Sequence, residues 1–229
     1  MLPTLSLPTF VAEIPSTGQE VKYRPFLVKE EKVLLMAMEG RDKSEIKVAI
    51  KEILKACIYD DIDVEKLPTF DIEYLFLMLR AKSVSEIVSL RIGHKDSKCE
   101  HRTDVDINLN DVKVVGVIED STIMIDDNVG LKMRYPTITS LDNLSKEKQD
   151  ILGVVADCID VVFDQDEVYE DFSKEELIEW LGNLNQNQYQ KINNFLVAAP
   201  KLTYEVEWQC EKCGEKESLK VEGLYNFFI

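Results

Sequence analysis

Cys210-Glu-Lys-Cys213-Gly214 stands between two strand-like runs, LTYEVEW and SLKVEGL, close to the end of the chain. Two sulfurs three residues apart can face one tetrahedral ion, and the glycine lets the backbone turn without a Cβ clash. This is half of a zinc site. A second turn, DSKCEHRT, lies far earlier and offers Cys99 and His101. The expected ligands are therefore Cys99, His101, Cys210 and Cys213, with His94 a competing fourth ligand if the earlier hairpin closes differently. A zinc-ribbon-like pair of knuckles would draw the two hairpins together, tie their strands into one sheet, and make the helical residues between them an insertion. Four protein ligands leave no position open to water, so this zinc is expected to be structural. Two other readings stand beside it. Cys99 and His101 could be ordinary turn residues, and Cys-x2-Cys could be a redox pair, although that motif opens a helix and EKESLKVEG here reads as a strand.

Periodicity supplies the elements around these turns. VAEI and EVKY flank Pro15, Ser16, Thr17 and Gly18, the pattern of a β-hairpin. FLVKEEKVLLMAMEG is dense in helix formers and stops at Gly40. From Lys43 to Ile58, apolar residues at 46, 49, 50, 53, 54, 57 and 58 mark one helical face. DIEYLFLMLRAKS, after Pro68, is apolar on most sides and predicts a buried third helix. Alternation then takes over in VSLRIGH, TDVDINLN, VKVVGVI and TIMIDDNVGLKMRY. Helical spacing returns from about Leu141 to Ala199 in KQDILGVVADCIDVVF, KEELIEWLGNL and NQYQKINNFLVAA, with Ser173 and Glu176 at capping-box spacing. The result is an α+β chain with three parts. Residues 1–85 form a hairpin and helices, 86–140 with 200–229 form the β region of the knuckles, and 141–199 form a helical insertion.

Charge narrows the partners. Against 27 basic residues stand 43 acidic ones, a formal net charge of −16 that opposes phosphate backbones and anionic lipid. A zinc ribbon that binds nucleic acid would want basic residues at its knuckles. Glu100, Glu211, Glu215 and Glu217 instead offset Lys98, Arg102, Lys212 and Lys216. No run approaches the roughly 20 apolar residues of a membrane span, and MLPTLSLPTF lacks the basic start and apolar run of a signal peptide. Five cysteines, unevenly placed, suit a reducing compartment, with Cys57 and Cys158 on apolar helix faces as buried small hydrophobes.

Catalysis has little material. The chain has only two histidines, one of them claimed by the expected metal, and it lacks a Gly-rich phosphate loop, His-Glu-x2-His or nucleophile elbow. Carboxylate pairs such as Asp60 with Asp61 and Asp126 with Asp127 are expected by chance in so acidic a chain. The expectation is a protein without enzymatic activity.

The segment PSTGQEVKYRPFLVKEEKVLLMAMEG, Pro15 to Gly40, resembles the opening motif of the T4-like bacteriophage baseplate hub family. The turn is Pro15 to Gly18, the elbow Arg24-Pro25-Phe26-Leu27, and the helix start Lys29-Glu30-Glu31-Lys32. A looser likeness continues to about residue 92, and the paired knuckles also look like those of this family. The resemblance implies a late viral protein that helps to build the hub beneath the tail tube. It would act in the host cytoplasm during assembly, or in the virion tail baseplate, through contacts with other hub or tail proteins. Arg24, a planar donor fork held by Pro25, forms with Lys29 and Glu30 a candidate partner surface. An internal salt bridge orienting the hairpin on the helix is the alternative.

Overall fold

A computed structural model describes residues 5–40, 42–94, 99–116, 121–140 and 151–227. The fold is α+β, and the chain divides into two compact units. One comprises Met1–Val64, Phe70–Val115 and Lys201–Ile229; the other comprises Glu65–Thr69 and Gly116–Pro200.

The first unit opens with the expected hairpin. Strands β1 (Phe10–Glu13) and β2 (Glu20–Tyr23) pair antiparallel, Phe10 opposite Tyr23 and Glu13 opposite Glu20. Helices α1 (Val28–Gly40), α2 (Lys43–Cys57) and α3 (Thr69–Ser83) follow. Asp42 caps α2 by accepting the Ser44 N–H at 2.8 Å. The face of α2 buried by folding is the one its spacing marks: Ala49, Ile50, Ile53, Leu54 and Cys57 are all buried. Helix α3 is buried on most sides, as its composition requires, through Phe70, Ile72, Leu75, Phe76, Leu77 and Leu79. Apolar area removed from water at about 25 cal/mol per Å² makes these two helices the main adhesive of the unit.

Two further hairpins complete that unit. Strands β3 (Ile87–Gly93) and β4 (Arg102–Asn108) pair from Ile87 opposite Asn108 to Gly93 opposite Arg102. Strand β5 (Lys113–Val115) joins the edge of β10 (Lys201–Gln209), which pairs on its other side with β11 (Lys216–Glu222). The expected single sheet does not form. The strands lie in two separate sheets, β3-β4 and β11-β10-β5, and it is β5 that pairs on the second edge of β10, at Lys201–Thr203.

In the second unit, β6 (Thr122–Met124), β7 (Gly130–Met133), β8 (Ile159–Phe163) and β9 (Val168–Tyr169) form one antiparallel sheet in that order. Against it pack residues of α4 (Ile151–Asp157), α5 (Lys174–Gly182) and α6 (Gln186–Val197). Their shared core includes Leu131, Met133, Val155, Leu177, Ile192 and Phe195. The capping box at Ser173 and Glu176 is present, and α6 has a second at Asn185 and Gln188. Helix was expected to run through IDVVF, but it stops at Asp157, and Ile159–Phe163 pairs with β7 and β9. The β-branched Ile159, Val161 and Val162 favour the extended state once a partner strand is available. The stretch 141–150, where the sequence starts this helix, lies outside the described residues.

Candidate metal centre

Alternation along β10 delivers the first ligand. Leu202, Val206 and Trp208 are buried while Lys201, Glu205, Glu207 and Gln209 are exposed, so the next inward position is Cys210, 1% exposed. The chain then reverses in a tight turn. Cys210 N–H donates to Glu215 O and Gly214 N–H to Cys210 O, each at 2.9 Å. Gly214 has φ +76°, the left-handed conformation that costs an L-residue about 1–2 kcal/mol. Cys213 sits at the exposed tip of this turn.

The β3–β4 hairpin supplies the rest. His94 follows the last paired residue of β3, and Cys99 precedes β4. Cys99 Sγ lies 3.9 Å from Cys210 Sγ, and His94 Nε2 lies 3.2 Å from Cys213 Sγ. All four ligand atoms fall within 4.8 Å of one another. A tetrahedral zinc with bonds near 2.3 Å to sulfur and 2.0–2.1 Å to nitrogen requires S···S edges of about 3.8 Å and S···N edges of about 3.6 Å. The four side chains fit such an ion, and a Cys3His set suits a borderline-soft dication.

The structure therefore brings together three of the four residues first expected, with His94 in place of His101. His101 lies outside the group, its Nε2 3.8 Å from Glu211 Oε2. That nitrogen is shielded from solvent without a hydrogen-bond partner among the described residues. The reason is geometric. In a knuckle the two ligands come from the two sides of the reversal, as Cys210 and Cys213 do, and likewise His94 follows β3 while Cys99 precedes β4. Cys99 and His101 would both come from its returning arm.

Without an ion, the cluster balances charge among its own atoms. The Cys213 backbone N–H, together with His94, lowers the Cys210 thiol to about 6. A Glu217 carboxylate and the Cys210 sulfur raise His94 to about 9. Although the Glu215 N–H pulls Cys213 down, burial and the neighbouring Cys210 and Cys99 sulfurs push it up on balance. Three sulfurs this close cannot all ionise unless a positive charge sits among them. His94, Glu215 and Glu217 also bring an imidazole nitrogen and two carboxylates within 4.8 Å. The two remaining cysteines are buried as expected, Cys57 on α2 but Cys158 in the turn after α4 and not on a helix face. Burial pushes Cys57 up to about 11 and Cys158 up to about 12, and both are fully buried.

The residues offered as a partner surface divide. Arg24 and Glu30 are buried against each other, with Arg24 Nη2 donating to Glu30 Oε1 and to Ala56 O, both at 3.0 Å. Arg24 Nη1 donates to Pro25 O at 3.0 Å, and Glu30 Oε2 accepts the Leu27 N–H at 2.7 Å. This geometry is an internal salt bridge between the elbow and the first turn of α1. The Lys29 side chain remains 74% exposed, 3.5 Å from Glu30 Oε1. Beside it α1 leaves Val28, Val33, Leu35 and Met36 exposed.

No curated protein and no solved structure matches the chain. The family model described as T4 bacteriophage base plate protein matches residues 7–229, taking in the hairpin, the Arg24 elbow and both knuckles. The chain thus belongs to the T4 bacteriophage base plate protein family.

Proposed function

We propose that this baseplate protein serves the central hub as a non-catalytic architectural or assembly component, with one structural zinc in the Cys3His cluster. The observation that carries the zinc reading is the meeting of the His94, Cys99, Cys210 and Cys213 ligand atoms within 4.8 Å of one another, from two hairpins in separate sheets. Bound there, zinc would hold the two hairpin tips together, and four protein ligands would close the ion to water. Support for the hub comes from Pro15–Gly40, whose turn, elbow and helix start resemble the hub members of the family. Their rigid joint is the Arg24–Glu30 pair. Partner contact falls to the outer side of α1, where Lys29 and the exposed Val28, Val33, Leu35 and Met36 offer an apolar surface with a cationic edge. The partners are other hub or tail proteins, met in the host cytoplasm during assembly and, if the chain is retained, in the virion tail. Among the described residues no helix is long and apolar enough to cross a membrane.

Mass spectrometry of purified tails beside hub assembly intermediates tests the role. The chain should appear in the hub subassembly; a baseplate part found only with the peripheral wedges would refute the hub assignment. In a pull-down with hub proteins, Leu35→Asp with Met36→Asp should abolish capture, and unchanged capture would remove α1 as the contact.

A further inference from the structure

Strand β11 carries a charge where its pattern calls for an apolar residue. Leu219 and Val221 lie on its inward-facing side, and Glu217 occupies the next inward position, its side chain only 21% exposed. Glu217 pairs directly across from Trp208 of β10. Between them they hold one imidazole: the Trp208 ring lies 5.0 Å from that of His94, and His94 Nδ1 is hydrogen-bonded to Glu217 Oε1. The other ring nitrogen, Nε2, faces the Cys213 sulfur.

We propose that Glu217 is the positioning residue of the metal centre: by accepting the His94 Nδ1–H it fixes the tautomer that presents a bare Nε2 lone pair to the ion. The inference rests on the Cys3His reading above and adds a function to a residue outside the ligand set. A neutral imidazole has one protonated nitrogen, and without an acceptor at Nδ1 the proton is free to reside on Nε2, where it blocks coordination. A carboxylate at Nδ1 removes that competition, orients the ring, and makes the ligating nitrogen a better donor. Glu215, the other carboxylate near His94, is exposed and serves as the control.

The test uses the full chain. Zinc affinity is measured by competition with a chromophoric chelator for wild type, Glu217→Ala, Glu217→Gln and Glu215→Gln, with long-range 1H–15N spectra reporting which His94 nitrogen binds the ion in the zinc-loaded state. Glu217→Ala should weaken binding by about 10–100-fold. Glu217→Gln keeps an acceptor oxygen without the charge; it should weaken binding less and preserve the Nδ1–H form. Glu215→Gln should bind as wild type does. Glu217→Ala or, if that variant does not fold, Glu217→Leu binding within twofold of wild type would overturn the proposal while sparing the metal site. Equal losses in Glu215→Gln and Glu217→Gln would overturn it by moving the ion to the carboxylate side of His94. A wild-type chain that takes up no zinc would overturn the metal reading itself.

Discussion

Truncating Arg24 to alanine should destabilise the first unit far more than a surface substitution would. The variant leaves the Glu30 carboxylate, 8% exposed, with only the exposed Lys29 ammonium at 3.5 Å as counter-charge and strips a donor from Ala56 O and Pro25 O. At the 3.0 Å separation of the pair, Coulomb attraction at an effective dielectric near 20 is about 5 kcal/mol. Breaking a buried pair by removing one member costs about 3–5 kcal/mol. Glu30 keeps the Leu27 N–H at 2.7 Å, which places the expected loss at the lower end, about 3 kcal/mol. The charge-free double variant Arg24→Met with Glu30→Leu should recover to within about 1 kcal/mol of wild type, since no uncompensated charge remains. Urea unfolding followed by Trp208 fluorescence in a Trp180→Phe background reads the first unit alone, because Trp180 packs in the second. The pH dependence follows from the same pair. Burial raises the Glu30 carboxyl, but Arg24 and the Leu27 N–H outweigh it and hold it below its ordinary value. The unfolded state then binds more protons in acid, so the contribution is present above the unfolded value near 4.3 and is lost as pH falls through the folded one. A loss below about 1 kcal/mol in Arg24→Ala, with the acid dependence intact, would refute the internal-pair account.

Asp71 shows the opposite sign. It is fully buried beneath the first turn, accepts from Ser16 N at 3.0 Å and from Ser16 Oγ, and is raised by burial to about 6. The folded state holds its proton longer, so stability should fall by about 2–3 kcal/mol as pH rises from about 4 to 6. Asp71→Asn should remove that part of the slope in a pH series of urea midpoints and leave the part due to Glu73, which burial raises to about 7; an unchanged slope would contradict the role of Asp71. Gly214→Ala forces φ +76° on an L-residue and should weaken zinc binding as well as stability, the latter by about 1–2 kcal/mol, in a chelator titration run beside a melt. Ser173→Ala removes the acceptor for the Glu176 N–H and should cost about 1 kcal/mol in the second unit, read by Trp180.

What could be read from the residues follows the strength of local signals. The hairpin at Pro15–Gly18, the face of α2 and the Ser173 cap are local, and their positions in the fold are those their patterns indicate. Cys210 and Cys213 form the knuckle expected of them because a two-residue gap and a glycine specify a turn within five residues. The choice between His94 and His101 depended on how the β3–β4 hairpin closes against β10, which a pairwise spacing rule cannot see. Trp208 and Glu217 were missed for the same reason, although an acidic residue on the inward face of β11 was a usable sign. The β8 strand was hidden because GVVADCIDVVF satisfies helical spacing until a partner strand competes for Ile159–Phe163. The pairing of β5 with β10 was likewise not legible, because a three-residue strand is too short to announce which edge it takes.

The most direct test is the metal content of the purified chain and of its histidine variants, measured by plasma mass spectrometry after gel filtration without added metal. The account predicts about one zinc per wild-type chain, retained in His101→Ala and lost or sharply reduced in His94→Ala, Cys99→Ser and Cys210→Ser. A wild-type chain free of zinc, or one that keeps its zinc in His94→Ala and loses it in His101→Ala, would contradict it.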